Sequence, residues 1–134
     1  MSISTGYERA AYAVLRIVSG FMFSCHGAQK ILGWFNAPFQ PEVGTQMWIG
    51  GIIELVAGVL IAVGLLTRPV AFIASGMMAV AYFQFHWKLA FANMAWAPVV
   101  NQGELAVLYC FLFLLFAIRG AGPLSIDGRR LGGV

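Results

Sequence analysis

Residues 47–69 read MWIGGIIELVAGVLIAVGLLTRP, and from Met47 to Leu66 the one charged side chain is Glu54. At about 1.5 Å of rise per residue, twenty helical residues reach roughly 30 Å, the thickness of a bilayer's hydrocarbon core. The stretch therefore predicts a transmembrane helix. A carboxylate inside such a run costs about 2.5–3.5 kcal/mol on insertion scales, so it needs a partner or a purpose. Gly50, Gly51 and Gly58 fall within about one turn of Glu54 and on its side of the helix. Small residues there let a neighbouring helix approach closely, which turns Glu54 toward protein and away from lipid.

The rest of the composition agrees. The 134 residues are 60% hydrophobic and 10% charged, against about 25% charged in an ordinary soluble domain. One integral membrane domain spanning 1–134 accounts for this length. The net charge of +3 does not indicate nucleic acid, because the basic residues sit at predicted helix ends and not on one face. Cys25 and Cys110 lie inside apolar runs and form no CxxC; they read as free thiols. No cleavable signal is apparent, and the first apolar segment is too long for a signal core.

Four helices are expected, at about 8–34, 46–66, 69–87 and 101–119. Met1–Gly6 is polar and expected to be disordered or interfacial. Residues 36–45 hold two prolines and no helical period, which predicts a loop. Thr67–Arg68–Pro69 reads as a tight turn with Thr67 or Arg68 at the cap and Pro69 in the first turn. Ala71, Ser75 and Ala79 repeat every four residues as a close-packing strip. The tail after Gly120 reads as a short polar or interfacial extension. With four spans the termini share a side. Arg9, Arg68, Arg119, Arg129 and Arg130 fall on that side and Lys30 and Lys88 on the other, so both termini are expected in the cytoplasm (N-in/C-in). The chain reads as an all-α integral membrane protein, a four-helix transmembrane bundle, without the internal repeat of many transporters.

This topology sets depths. Glu54, seven residues from Met47, lies about 10 Å below the outer boundary, and His26, 17 residues from Arg9, about 25 Å up from the inner one. The two share an outer layer with Gln29, Lys30, His86, Asn101 and Glu104, and Arg16 lies about 15 Å deeper. His26, Glu54, Arg16, Gln29, Glu104 and His86 are the candidate ligand-binding residues. Gly50, Gly51, Gly58, Thr67, Arg68, Pro69 and Asn101 are expected to be structural. Each polar group also has a plainer reading. Asn101 and Glu104 have capping-box spacing, Lys30 can snorkel to headgroups, and His86 can be interfacial. Arg16 can reach inner-leaflet phosphates or a carboxylate. Glu54 can form a buried structural pair with a His or Arg. The phenylalanines and methionines are packing or lipid-facing residues. Two His and two Glu could offer metal ligands, but there is no Glu-x-x-His as in di-iron bundles, so no metal is expected. No nucleophile–base pair or phosphate loop is visible, so no catalytic residue is assigned.

The stretches RIVSGFMFSCHGAQKILGWF (16–35), GGIIELVAGVLIAVGLLTRPVA (50–71) and NQGELAVLYCFLFLLFAIRGAGPLSID (101–127) resemble the DoxX family of small four-helix bacterial membrane proteins. The resemblance runs from about Ala10 to Asp127 and rests on Arg16, His26–Gly27, Gln29–Lys30, Glu54, Gly64–Pro69, Asn101, Gly103–Glu104 and Gly120–Asp127. It implies a subunit of the bacterial inner membrane supporting quinone-linked redox or oxidative-stress chemistry, with quinone as the cofactor to expect. The partners to expect are membrane lipid and either further copies of this chain or the other subunits of a membrane complex. Membership alone does not make the chain an enzyme. A non-catalytic scaffold or assembly factor is the alternative, and a small-solute transporter the third reading.

Overall fold

The computed structural model describes residues 3–131, and all regular structure among them is helical. Helix α1 spans Ile3–Leu32, α2 Gln46–Val63 and α3 Thr67–Ala81; Tyr82–Trp87 continues α3 as a π-helix. A 3-10 turn at Ala92–Met94 and short α4 (Pro98–Asn101) lead into α5 (Glu104–Arg119), and α6 covers Ile126–Leu131. Helices α2 and α3 with its π-helical extension are long and apolar enough to cross a membrane.

Helix α1 begins at Ile3, not near residue 8, so 3–6 are not the irregular segment expected; Met1 and Ser2 lie outside the described residues. One glycine, Gly6, costs about 1 kcal/mol in a helix, too little to stop one this long. Helix α2 starts as expected, with Thr45 Oγ1 accepting from the Trp48 backbone N–H. It ends three residues early. Gly64 turns left-handed at φ 70° and the Leu65 N–H reaches back to the Leu60 carbonyl, a closure that leaves no room for another turn.

The start of α3 also differs from expectation. Leu66, at φ 51°, is its N-cap and offers no side-chain bond, and Thr67 and Arg68 are already helical. The carboxylate of Asp127, sixty residues on, accepts from the backbone N–H of both Leu66 and Thr67 at 3.0 and 2.9 Å. The tail is thus docked, and the Asp127 N–H completes the link by donating to the Gly64 carbonyl. Arg68 Nη1 donates to the Ile118 carbonyl at the end of α5.

The helices pack principally as two pairs, α1 with α2 and α3 with α5. The first pair is set by glycine. A Cβ on Gly27 would lie 2.2 Å from the Leu55 nitrogen, and one on Gly58 2.4 Å from the Ser24 nitrogen. A Cβ on Gly51 would lie 2.8 Å from Lys30 Cβ in the same seam. Gly50 does not belong to it: a Cβ there would meet nothing nearer than Met77 Sδ at 3.9 Å. In the second pair Ala71, Ala74 and Ser75 are buried, and Ser75 Oγ donates to the Cys110 carbonyl at 2.7 Å. Phe23, Tyr109, Phe113 and Phe116 join the pairs through an aromatic core, with Phe23 and Phe113 centroids 4.7 Å apart. Both cysteines are free and half-buried.

Candidate functional site

The two ends of this assembly use polar groups differently. At the end where α2 finishes, Arg16 is fully buried on α1. Its Nη1 donates to the Ile61 and Ala62 carbonyls, and its Nη2 to those of Pro123 and Leu124. The flat, forked guanidinium suits this task, since it supplies several donors in one plane to the α2 terminus and to the strap before α6. These four carbonyls replace the lipid phosphate or carboxylate expected for Arg16. Tyr12 closes the same end by donating to the Gly120 carbonyl at 2.6 Å.

At the opposite end, where α2 begins, the helices separate around a partly open cavity of about 360 Å³. Its walls are mainly apolar, including Phe23, Met77, Met78 and Phe85. Three of the expected ligand residues meet there: His26 from α1, Glu54 from α2 and His86 from the π-helix. Lys30, Gln46, Gln102 and Tyr109 add polar groups. A π-helix inserts extra backbone into a helical path and re-aims the side chains it carries, and such insertions recur at functional sites. Here it brings both Phe85 and His86 to the cavity.

Glu54 is 5% exposed, and its Oε1 lies 2.7 Å from Lys30 Nζ. Lys30 therefore does not snorkel away; its stem follows α1 past Gly51 and its ammonium neutralises the carboxylate of α2. The pairing is Glu54–Lys30, not the Glu–His or Glu–Arg pair the sequence suggested. Glu54 Oε2 has no hydrogen-bond partner among the described residues, and neither has the Tyr109 hydroxyl, on a side chain 5% exposed. Two buried polar atoms without partners on one cavity are an unusual expense, because each forgoes the hydrogen bonds it had in water. His86 Nδ1 lies 3.2 Å from the Asn101 carbonyl. A carbonyl only accepts, so the ring donates from Nδ1 in this contact.

The other expected ligand residues lie elsewhere. Arg16 is at the far end, as described. Gln29 donates through Nε2 to the Phe35 carbonyl and does not line the cavity. Glu104 is exposed at the first turn of α5, with its neighbour Leu105 on the wall instead. The expected capping box with Asn101 is not formed. Gln102 turns left-handed at φ 59° and ends α4 at Asn101, whose Oδ1 accepts from the Gly103 N–H. Glu104 nonetheless sits where a helix dipole favours an acid. Tyr109 escapes a sequence reading because a tyrosine in an apolar helix reads as packing; its being the one hydroxyl between Glu104 and Arg119 is the available signal. Among the described residues no three His, Cys, Asp or Glu side chains gather as a metal site would require.

Residues 11–87 match the family profile named DoxX. An uncharacterised protein of Haemophilus influenzae is 40% identical over 129 residues, covering 92% of each chain. No solved structure matches. The matched segment covers most of α1 and all of α2, α3 and the π-helix, hence three of the cavity's walls. The chain is a membrane protein and belongs to the DoxX family.

Proposed function

We propose that the cavity beside Glu54 is a headgroup site for a lipid-soluble ring of the quinone class, in a DoxX protein supporting quinone-linked redox or oxidative-stress chemistry. The protein is a four-helix transmembrane bundle of the bacterial inner membrane, crossing with α1, α2, α3 and its π-helical extension, and α5. Both termini face the cytoplasm, which puts the cavity in the outer part of the bilayer.

The observation that carries this reading is Glu54 itself. One carboxylate oxygen is neutralised by Lys30, while the other, like the Tyr109 hydroxyl, is buried without a partner. A purely structural ion pair is better satisfied at both oxygens, since half-satisfied buried groups cost free energy. The donor and acceptor set fits a ring oxygen, the apolar walls fit the ring, and the volume lies in the range of small-ligand sites. A quinone supplies reversible two-electron chemistry when bound. The protein's share is to hold the ring oxygen by Tyr109 and, where that oxygen bears a hydrogen, by Glu54, with His26 and His86 beside them to take or give a proton. The small-residue strips that a scaffold would present to partners face inward, α1 to α2 and α3 to α5.

An azidoquinone photolabel applied to membranes containing the protein tests this. Label on peptides carrying residues 46–54 and 102–109, displaced by excess unlabelled quinone, is the expected result. Label spread over the lipid-facing surfaces of α2 and α5 without competition would defeat the proposal.

A further inference from the structure

We infer that the cavity selects the reduced, hydroxyl-bearing state of its ring ligand, a quinol in preference to the corresponding quinone. This rests on the headgroup reading above. It follows from the direction of the hydrogen bonds the site leaves open, not from the cavity's size.

In its ion pair with Lys30 the Glu54 carboxylate is charged, and both of its oxygens only accept. Oε1 is occupied; Oε2 is buried and bare. It asks for a donor. His86 lines the same cavity. The Tyr109 hydroxyl can donate or accept. The unpartnered atoms are therefore one acceptor, Glu54 Oε2, and one group of either kind, the Tyr109 hydroxyl, beside His26, Lys30, Gln46 and Gln102 on the same walls. A quinone offers carbonyl oxygens, which only accept. It can take a bond from Tyr109, but it leaves Glu54 Oε2 as bare as before and seals it further from water. A quinol hydroxyl can donate to Oε2 and can also accept from Tyr109, which a carbonyl oxygen cannot match at Oε2.

The size of the preference follows from the charge on the acceptor. A hydrogen bond to a charged group, made in one complex and missing in the other, corresponds to at least ~10-fold in affinity. The apolar walls contribute equally to both forms, because the ring is the same.

Equilibrium dialysis of the purified protein in detergent micelles, held anaerobic, with decylubiquinol and decylubiquinone and protein-free micelles as the blank, tests this. The wild type should bind the quinol at least ~10-fold more tightly. Glu54→Gln replaces an acceptor with an amide that can also donate, so the two affinities should converge. Tyr109→Phe should weaken both forms and keep the preference, which guards against a Glu54 variant that fails to fold. Equal or tighter binding of the quinone by wild type, or a preference unchanged by Glu54→Gln, overturns the inference and leaves the headgroup site standing. Binding of neither form overturns the headgroup site and the inference with it.

Discussion

Lys30 Nζ sits 2.7 Å from Glu54 Oε1 and ties α1 to α2 beside the cavity. The two partners are unequally placed, Lys30 being 30% exposed at its side chain and Glu54 7%. Breaking the pair from the lysine side should therefore be the harsher change. Lys30→Met strands a buried carboxylate and is expected to destabilise by about 2–3 kcal/mol, below the 3–5 kcal/mol of a fully buried pair because Lys30 reaches water. Glu54→Gln leaves a lysine that can swing outward and should cost less. The double variant should recover most of the loss from Lys30→Met. Unfolding midpoints in mixed micelles, compared across the three proteins, check the order.

The α1–α2 seam gives a prediction with its own control. Gly27→Ala puts a methyl group 2.2 Å from the Leu55 backbone nitrogen, which can yield only by moving the helix. A loss of about 1–3 kcal/mol or more is expected. Gly50 is the neighbour of a seam glycine, Gly51, but its own Cβ position faces Met77 Sδ at 3.9 Å. Gly50→Ala should therefore be neutral or gain up to about 1 kcal/mol from helix propensity. Thermal melts of the two variants in the same detergent check the contrast. Equal losses in both would mean that the helices do not meet as described.

Arg16 should prove a structural residue despite its place among the ligand candidates. Arg16→Lys keeps the charge and loses the fork that spans four carbonyls, so it should lower stability by more than about 2 kcal/mol. Its affinity for a cavity ligand, measured on the folded fraction, should stay within about twofold of wild type, a shift worth under 0.5 kcal/mol. A selective loss of binding without loss of stability would return Arg16 to the site.

Asp127 gives a pH dependence. Partial burial pushes its carboxyl up, but the backbone N–H groups of Thr67 and Leu66, aided by Arg130, outweigh this and hold it below the usual carboxylate range. A lowered folded-state value means stability present above the ordinary value near 3.9 and lost as pH falls through the folded one. Asp127→Ala should cost about 1 kcal/mol near neutrality, as the loss of a helix cap does, and should flatten the acid limb of the stability curve. Thermal melts between pH 7 and pH 3 check both.

These residues also show what the sequence can reveal. The α2 span and the oddity of Glu54 are legible because hydropathy and one misplaced charge are local facts. The shared layer of His26, His86 and Glu54 is legible too, since helix rise converts position into depth, but depth alone does not separate them from Gln29 and Glu104, which lie off the cavity. The partner of Glu54 is not legible. A lysine near a helix end looks like any snorkelling lysine, and only the register imposed by Gly27 and Gly58 brings its ammonium to Oε1. Arg16 misleads for the same reason, its partners being backbone carbonyls, which no side-chain pattern advertises. The Asp127 cap comes from sixty residues away, beyond any local capping rule. Asn101 and Glu104 have the right spacing for a capping box, but the left-handed turn at Gln102 intervenes.

The central claim is that the Glu54 cavity holds a ligand. Native mass spectrometry of the protein released from its own membranes in mild detergent, with extraction and identification of whatever stays bound, tests it most directly. The account predicts a defined quinone-class mass on the wild type that is depleted from Glu54→Gln while the protein stays folded. A ligand-free wild type, with Glu54→Gln differing only in stability, would contradict it and leave Glu54 and Lys30 as a lock between two helices.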